Sequence, residues 1–319
     1  MKKMDRSETA DWLQEHDNFC ILTHRKPDGD TAGAAAALCR VLRQLGKHAA
    51  ILANPELSPR SAFLHEGLTV SFPQEGDTLV CVDVAAPHML PDAFSHLLDR
   101  IELRIDHHGA SDSFTPLELV DPAAAAAAEI VYDLLMELWV EIDKDIAAAL
   151  YVGTSTDTGC FRYSNTTDHS FLVAAACAAN GAPVYQLNQE LFETNSLARL
   201  RLQGWIVEHT KFLKNGRVAI CAIPHSVERE LGVTEDDLDN ISSFPRTIAG
   251  VCMAATIREH SEQESKASLR SIPGWDSAAV CAVFGGGGHA GASGARIHLP
   301  LEDAAKALEE AILAATEDK

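Results

Sequence analysis

Phe19-Cys20-Ile21-Leu22-Thr23-His24-Arg25-Lys26-Pro27-Asp28-Gly29-Asp30-Thr31 decides how the first half of this chain folds. Phe19–Thr23 is a short apolar run of the kind that forms a strand buried on both faces. From Thr31 to Leu45 the pattern changes to a helix, with Leu38, Val41, Leu42 and Leu45 at helical spacing and Gly46 as its stop. Between them lies an acidic loop that carries one histidine. Working outward, Ala49–Ala53, Thr78–Val84 and Leu103–Ile105 are further strands, with a helix expected over Pro87–Leu98. Strands alternating with helices build a doubly wound, mostly parallel α/β sheet.

A helix is expected from Asp121-Pro122 to about Trp139, through the six alanines Ala123–Ala128, since alanine is the strongest helix former. Lys144–Val152 and His169–Asn180 read as helices, the second stopping at Gly181. From Pro183 to Phe212 the pattern is helical, with a break near Thr194-Asn195. Beyond it, Arg217–Ile223, Val251–Arg258 and Lys266–Ser271 read as strands. A helix over Trp275–Phe284 ends in Gly285-Gly286-Gly287-Gly288, a strand-like stretch follows at Ala295–His298, and a helix closes the chain over Leu301–Ala315. The expected organisation is a first domain over 1–185, a helical connector over 186–212 and a smaller α/β domain over 213–319.

Composition limits the function. At 319 residues the chain is long for a single core. Its 46% apolar and 23% charged residues are those of a water-soluble globular protein. No run approaches the roughly 18 apolar residues of a membrane span. Met1–Glu8 has no hydrophobic signal region, so a cytoplasmic protein is expected. The eight cysteines stand singly, without a Cys-x-x-Cys pair, and read as core residues in a reducing compartment. A net charge of −20 argues against broad binding to long duplex nucleic acid. It leaves room for a short oligonucleotide or a nucleotide held in a local pocket.

Four segments carry chemistry. They are the His24-x-x-x-Asp28-x-Asp30 loop, Val82-Asp83, Asp106-His107-His108 and Thr156-Asp157-Thr158-Gly159. The first three follow predicted strands, and ligands of open α/β sheets bind beyond the carboxyl ends of strands. Taken alone, the first, third and fourth have ordinary explanations: an acidic turn with Asp30 as helix N-cap, a surface loop, a cap at Asp157. Together they suit a two-metal site. Carboxylates mixed with imidazole favour Mn²⁺ or Mg²⁺, with zinc, iron or cobalt as further options. Two such ions about 3.5–4 Å apart clamp phosphoryl oxygens and generate hydroxide at neutral pH. The charges of Asp28, Asp30, Asp83 and Asp157 would be cancelled by two divalent ions. Phosphate binding then needs added cations, and His108, Arg162, Lys266 and Arg270 are candidates. His16, His48, His65, His88, His96 and His209 lack such context and read as surface or satisfied histidines.

The four segments together resemble the DHH phosphoesterase superfamily, which includes RecJ-like nucleases and family II inorganic pyrophosphatases. That resemblance implies a binuclear phosphoester hydrolase, usually Mn²⁺-dependent. Carried over by position, it implies one ion on His24, Asp28 and Asp83, and another on Asp30, Asp83, His107 and Asp157. It also implies that His108 contacts the scissile phosphate and helps the leaving group, and that Asp106 orients the neighbouring histidine. Gly286-Gly287-Gly288-His289-Ala290-Gly291-Ala292-Ser293-Gly294 is similar to the Gly-rich signature of the DHH-associated nucleotide-binding domain. Lys266–Ser271 resembles the strand of that domain that offers a basic residue to substrate. Length, domain pair and the segment Gly159–Thr167 look most like the nano-RNase (oligoribonuclease/pAp-phosphatase) subfamily.

The resulting expectation is a hydrolase that degrades very short RNA to 5′-nucleotides and dephosphorylates pAp to AMP. Asp83 and His108 would be its catalytic residues. Arg162, Lys266, Arg270, the Gly286–Gly288 backbone and His289 would bind substrate. Alternatives with the same parts are a linear or cyclic dinucleotide phosphodiesterase (pApA, cyclic-di-AMP) and a nucleotide sensor without turnover. The oligomeric state stays open between monomer and homodimer.

Overall fold

A computed structural model describes residues 1–109, 113–238 and 240–317. The chain divides into two compact units, Met1–Thr194 and Asn195–Lys319. The division falls inside the stretch expected as the connector.

The first unit is built on seven strands: β1 (Lys2–Lys3), β2 (Phe19–Leu22), β3 (Ala49–Leu52), β4 (Thr69–Val70), β5 (Thr78–Val82), β6 (Ile101–Asp106) and β7 (Leu117–Val120). They lie in the order β1-β7-β6-β5-β2-β3-β4, and every pairing is parallel. The helices are α1 (Arg6–Glu15), α2 (Gly29–Gln44), α3 (Ala127–Glu137), α4 (Lys144–Asp157), α5 (Asp168–Ala179) and α6 (Val184–Asn188). β2 and β5 are buried along their whole length, which is why they read as continuous apolar runs rather than alternating ones. Because β2, β5 and β6 are neighbours running the same way, Thr23-His24, Asp83 and Asp106 leave the sheet at one edge.

Helix α2 is buried over nearly all its length. Its N-cap is Asp28, not Asp30: Asp28 Oδ1 accepts from the N–H groups of Asp30 and Thr31 at 2.9 and 3.1 Å. Two glycines let α2 and α4 approach closely. A Cβ on Gly33 would meet the Ala149 carbonyl at 2.3 Å, and one on Gly153 would meet Ala128 Cβ at 2.5 Å and Asp30 Oδ1 at 2.9 Å. This contact brings Asp30, at the start of α2, to Asp157, at the end of α4.

Several boundaries depart from the sequence expectation. Pro87–Leu98 is not an α-helix. It forms two 3₁₀ segments, Pro87–Met89 and Asp92–Arg100, because Pro91 lacks the N–H that a continuous helix needs. α3 begins at Ala127 rather than near Pro122, for a reason found in the site below. α4 runs on to Asp157 instead of ending at Val152. α1, β1, β4 and β7 have no counterpart in the sequence expectation.

The second unit opens with α7 (Leu197–His209) and contains β8 (Lys211–Leu213), β9 (Val218–Ile223), β10 (Met253–Ser261), β11 (Glu264–Ser271), β12 (Gly287–His289) and β13 (Ala292–Ile297). Its other helices are α8 (His225–Leu231), α9 (Glu235–Leu238), α10 (Ser277–Ala282) and α11 (Leu301–Ala315). The sheet order is β12-β13-β11-β10-β9-β8, with only β9 and β10 parallel. Alternation along β9 separates two cores. Val218 and Ile220 pack with Leu308 and Ile312 of α11, while Cys221 and Ile223 pack with Leu202 and Ile206 of α7. The Gly-rich run forms the hairpin of β12 and β13 at the sheet edge. Among the described residues, no helix is long and apolar enough to cross a membrane.

Candidate metal centre

Three groups of side chains at the carboxyl edge of the first sheet bring ligand atoms within 4.8 Å of one another. They are His24, Asp28 and Asp83; Asp30, His107 and Asp157; and Asp83, His107 and His108. Asp83 joins the first and third groups, and His107 the second and third.

Asp83 follows β5 directly and has a left-handed backbone, φ 58°, a conformation that Asp and Asn tolerate better than most residues. Its N–H donates to the Ile105 carbonyl at 2.9 Å. Thr31 Oγ1 donates to the Val82 carbonyl at 3.0 Å and fixes the strand end. The carboxylate reaches His24 Nε2 through Oδ2 at 3.5 Å, and His107 Nε2 and His108 Nδ1 through Oδ1, each at 3.5 Å. His24 Nε2 lies 3.6 Å from Asp28, and His107 Nε2 lies 3.4 Å from Asp157 and 3.9 Å from Asp30.

The far ring nitrogens are tethered to backbone carbonyls. His24 Nδ1 lies 2.7 Å from the Arg25 carbonyl, and His107 Nδ1 3.3 Å from the Ala124 carbonyl. Donation to those carbonyls fixes the tautomer that turns a lone pair on Nε2 toward the acids. Asn54 Nδ2 donates to Thr23 Oγ1 and to the His24 carbonyl, both at 2.9 Å. Asp30 is fully buried. Its two oxygens accept from the N–H groups of Ala127 and Ala128 at 2.6 and 2.9 Å. That explains the late start of α3: its first free N–H groups serve Asp30 rather than an upstream carbonyl.

Asp106 Oδ1 accepts from His108 Nδ1 at 2.8 Å and from the N–H groups of His107 and His108 at 2.8 and 3.2 Å. His108 Nδ1 is therefore engaged by Asp106, with Asp83 Oδ1 farther off at 3.5 Å. Arg104, buried beneath Asp106 with Glu118, carries no signal in the sequence, because Leu103-Arg104-Ile105 reads as a strand with one outward polar residue.

The donor set fits divalent cations. Separations near 3.5 Å are long for hydrogen bonds. They match ligand atoms sharing an ion at about 2.0–2.2 Å, which lie about 3–3.6 Å apart. Asp83 Oδ1 is buried and has no hydrogen-bond partner among the described residues. Electrostatics agree. Burial and the neighbouring Asp83 push the Asp30 carboxyl up to about 8. Burial, Asp30 and Asp28 raise Asp157 well above the usual carboxylate range. For His107, burial opposes the charged ring, but Asp83, Asp30 and Asp157 outweigh it and raise the ring to about 10. His24 is likewise raised against burial, by Asp28 and Asp83. Those two histidines hold Asp83 well below the ordinary value, again against burial. Without cations, Asp30, Asp157, His107 and His24 favour their protonated forms, so cation binding there would release protons.

A stability prediction follows. Groups raised on folding contribute stability that is complete below their unfolded values and is lost as pH rises through the folded ones. Asp30 and Asp157 lose theirs from about pH 4 upward, and His24 and His107 from about pH 6.5 upward. Asp83, shifted the other way, already contributes fully in this range. The Tm of chelator-treated protein should therefore fall from pH 5 to pH 9, and added divalent cation should restore most at the upper end. A Tm that rises with pH under chelation would contradict this arrangement.

Arg162 is exposed in the turn after α4, and its Nε donates to the Gly159 carbonyl at 2.5 Å. Gly159, Cys160 and Phe161 are all left-handed there, with φ of 57°, 58° and 61°; only the glycine is readable as such from its type. In the second unit, Lys266 and Arg270 occupy one face of β11, and His289 is exposed on β12. Gly286 cannot take a side chain, since a Cβ would meet the Gly294 carbonyl at 2.3 Å, and Gly288 has φ 134°. Of the histidines read as surface or satisfied, His65 is of the second kind at one ring nitrogen. It is buried, with Nε2 3.0 Å from the Ala32 carbonyl and no partner at Nδ1 among the described residues.

Comparison with known proteins agrees with this architecture. Residues 18–154 match the profile of the DHH family, N-terminal domain, and residues 215–317 that of the DHHA1 domain. The bifunctional oligoribonuclease and PAP phosphatase NrnA of Thermus thermophilus is 33% identical over 297 residues, covering 92% of this chain and 88% of the relative. An exopolyphosphatase-related protein from Bacteroides fragilis has the same fold, with a TM-score of 0.87 at 24% identity, over 97% of this chain and 96% of that one. RecJ from Thermus thermophilus, solved in complex with Mn²⁺, aligns with a TM-score of 0.56 at 14% identity, over 98% of this chain and 55% of that one. Matched by both domain profiles, and by such a relative over nearly its whole length, the chain belongs to the DHH superfamily of phosphoesterases, in its NrnA-type or nano-RNase subfamily.

Proposed function

We propose that this chain is a Mn²⁺-dependent phosphoester hydrolase that degrades very short oligoribonucleotides to 5′-nucleotides and dephosphorylates pAp to AMP. The observation that carries this reading is the overlap of three ligand groups through Asp83 and His107, in a chain similar along its length to a protein named for those two activities. One cation is assigned to His24, Asp28 and Asp83, and a second to Asp30, Asp83, His107 and Asp157. Bound there, divalent ions supply Lewis acidity toward the phosphoryl oxygens and an activated water.

The protein's own groups do the rest. The Arg25 and Ala124 carbonyls keep Nε2 of His24 and His107 aimed inward. The Ala127 and Ala128 N–H groups hold both Asp30 oxygens, so that carboxylate cannot turn. Asp106 takes His108 Nδ1, which leaves Nε2 as the ring atom to hold a proton for the leaving oxygen. Arg162, Lys266, Arg270, Gly286, Gly287, Gly288 and His289 are assigned to the non-reacting groups of the substrate.

The direct test is a panel of pAp, dinucleotide RNA, pApA and cyclic-di-AMP with purified protein, with and without Mn²⁺. Release of AMP from pAp and of 5′-nucleotides from the RNA, both dependent on the cation, is expected. Turnover of the cyclic dinucleotide alone, or no turnover at all, would overturn the reading.

Arg270 tests the substrate assignment. A guanidinium pairs bidentately with phosphate, and its loss removes a charge-assisted bond of about 1.5–3 kcal/mol, or roughly one to two decades in kcat/KM. Arg270→Ala should show that loss on pAp and dinucleotide RNA and little on bis(p-nitrophenyl) phosphate. Equal losses on all three would assign Arg270 to the fold instead.

A further inference from the structure

Arg104 is among the largest fully buried side chains of the molecule. It projects from β6 into a buried site that also holds Asp106 and Glu118, each less than 3% exposed. Buried ions carry a desolvation penalty that apolar residues of similar volume avoid. A strand flanked by Leu103 and Ile105 has no need of an arginine to pack.

The contacts show what the charge does. Arg104 Nη2 lies 3.3 Å from Glu118 Oε2, and Nη1 lies 3.5 Å from Asp106 Oδ2. Nη1 also donates to the Ala85 and Val84 carbonyls at 3.1 and 3.4 Å, just beyond Asp83. The guanidinium carbon sits 5.2 Å above the Phe114 ring. Glu118 is itself fixed, accepting from the Phe114 N–H at 3.2 Å and from Ser113 Oγ at 2.9 Å. Asp106 is thus divided in function. One oxygen serves His107 and His108, and the other faces the guanidinium. Without that cation, Oδ2 would be a buried anionic oxygen with no counter-charge, and the carboxylate would turn. That turn removes the anchor of the His108 ring.

We propose that Arg104, held by Glu118, is a positioning residue for phosphoester cleavage, acting through Asp106 to fix the orientation of His108. The inference rests on the reading of His108 as the group that assists the leaving oxygen. Arg104 is buried and stands outside the three ligand groups, so its effect should appear in kcat with little change in KM.

The test is a double-mutant cycle on pAp in the full-length protein with Mn²⁺. Arg104→Met should lower kcat by about 10²-fold, the scale of a misplaced catalytic group. Arg104→Lys, which keeps the charge but not the fork, should recover part of it. Metal content by mass spectrometry should stay at the wild-type level. In the His108→Ala background, Arg104→Met should cost nothing further, because two residues acting through one step are not additive. Multiplying losses, or lost metal, would make Arg104 a support of the fold and overturn the inference. Should Arg104→Met fail to fold, the cycle is run with Arg104→Lys and the same criterion applies. Wild-type kcat in His108→Ala would sink the reading of His108 and this inference with it, whereas slow His108→Ala with multiplying losses sinks only the role of Arg104.

Discussion

Asp83→Asn should leave the fold intact, strip the protein of bound divalent cation and lower kcat to below about one thousandth of wild type, the behaviour of groups that act as a unit. Asp83 is 2% exposed, stands between the two histidines and belongs to two of the three ligand groups. No other carboxylate in the cluster has that position, so its loss should exceed that of Asp28 or Asp157. The choice of substitution matters. Asp83 has φ 58°, where alanine is strained and asparagine is tolerated. Asp83→Ala should also abolish turnover, but its lower stability would confuse lost charge with lost backbone geometry. Asparagine keeps shape and conformation and removes the negative charge. Metal analysis after saturation with Mn²⁺ and removal of excess gives the answer. A wild-type protein that retains one ion or none refutes the binuclear assignment. Metal retained at the wild-type level in Asp83→Asn refutes the bridging role of Asp83.

The ligand segments are legible because chemistry and position coincide in the sequence. An apolar run followed at once by an acid or a histidine marks a strand end, and three such ends on neighbouring parallel strands converge. What stays hidden depends on partners far away in the chain. Arg104 reads as an outward strand residue until Glu118, on the next strand, is brought beside it. Ala127 and Ala128 sit in an alanine run whose propensity supports a helix anywhere. Their N–H groups are diverted to Asp30, and only the folded arrangement shows where the helix begins. The close contact of Gly33 and Gly153 between α2 and α4 likewise needs both helices. Some misses have a signal in the sequence. Asp5 and Glu8 form a capping box at the start of α1, a spacing that marks a helix N-terminus. Pro91 stands in the middle of the expected Pro87–Leu98 helix. The left-handed Cys160 and Phe161 have none, since neither residue type favours that conformation.

His108→Ala separates two roles that the geometry leaves adjacent. His108 Nδ1 lies 3.5 Å from Asp83 Oδ1 and shares a ligand group with Asp83 and His107, yet the same nitrogen is 2.8 Å from Asp106 Oδ1. A ring nitrogen that donates to a carboxylate has no lone pair for a cation, so His108 is read as holding a proton at Nε2. Burial works against the charged ring, but Asp106 and Asp83 outweigh it and raise its pKa, as an acid at neutral pH requires. On that reading, His108→Ala keeps both ions and lowers kcat by about 10²–10⁴, the usual range for lost acid–base assistance. The loss should depend on the leaving group. An alkoxide leaving from RNA needs a proton, whereas p-nitrophenolate is stable without one, so the fall should be far smaller with bis(p-nitrophenyl) phosphate. Loss of a metal ion in His108→Ala would mean that His107 and His108 exchange roles. An equal fall on both substrates with metal intact would mean that His108 grips the phosphate in the ground state and gives no proton to the leaving oxygen.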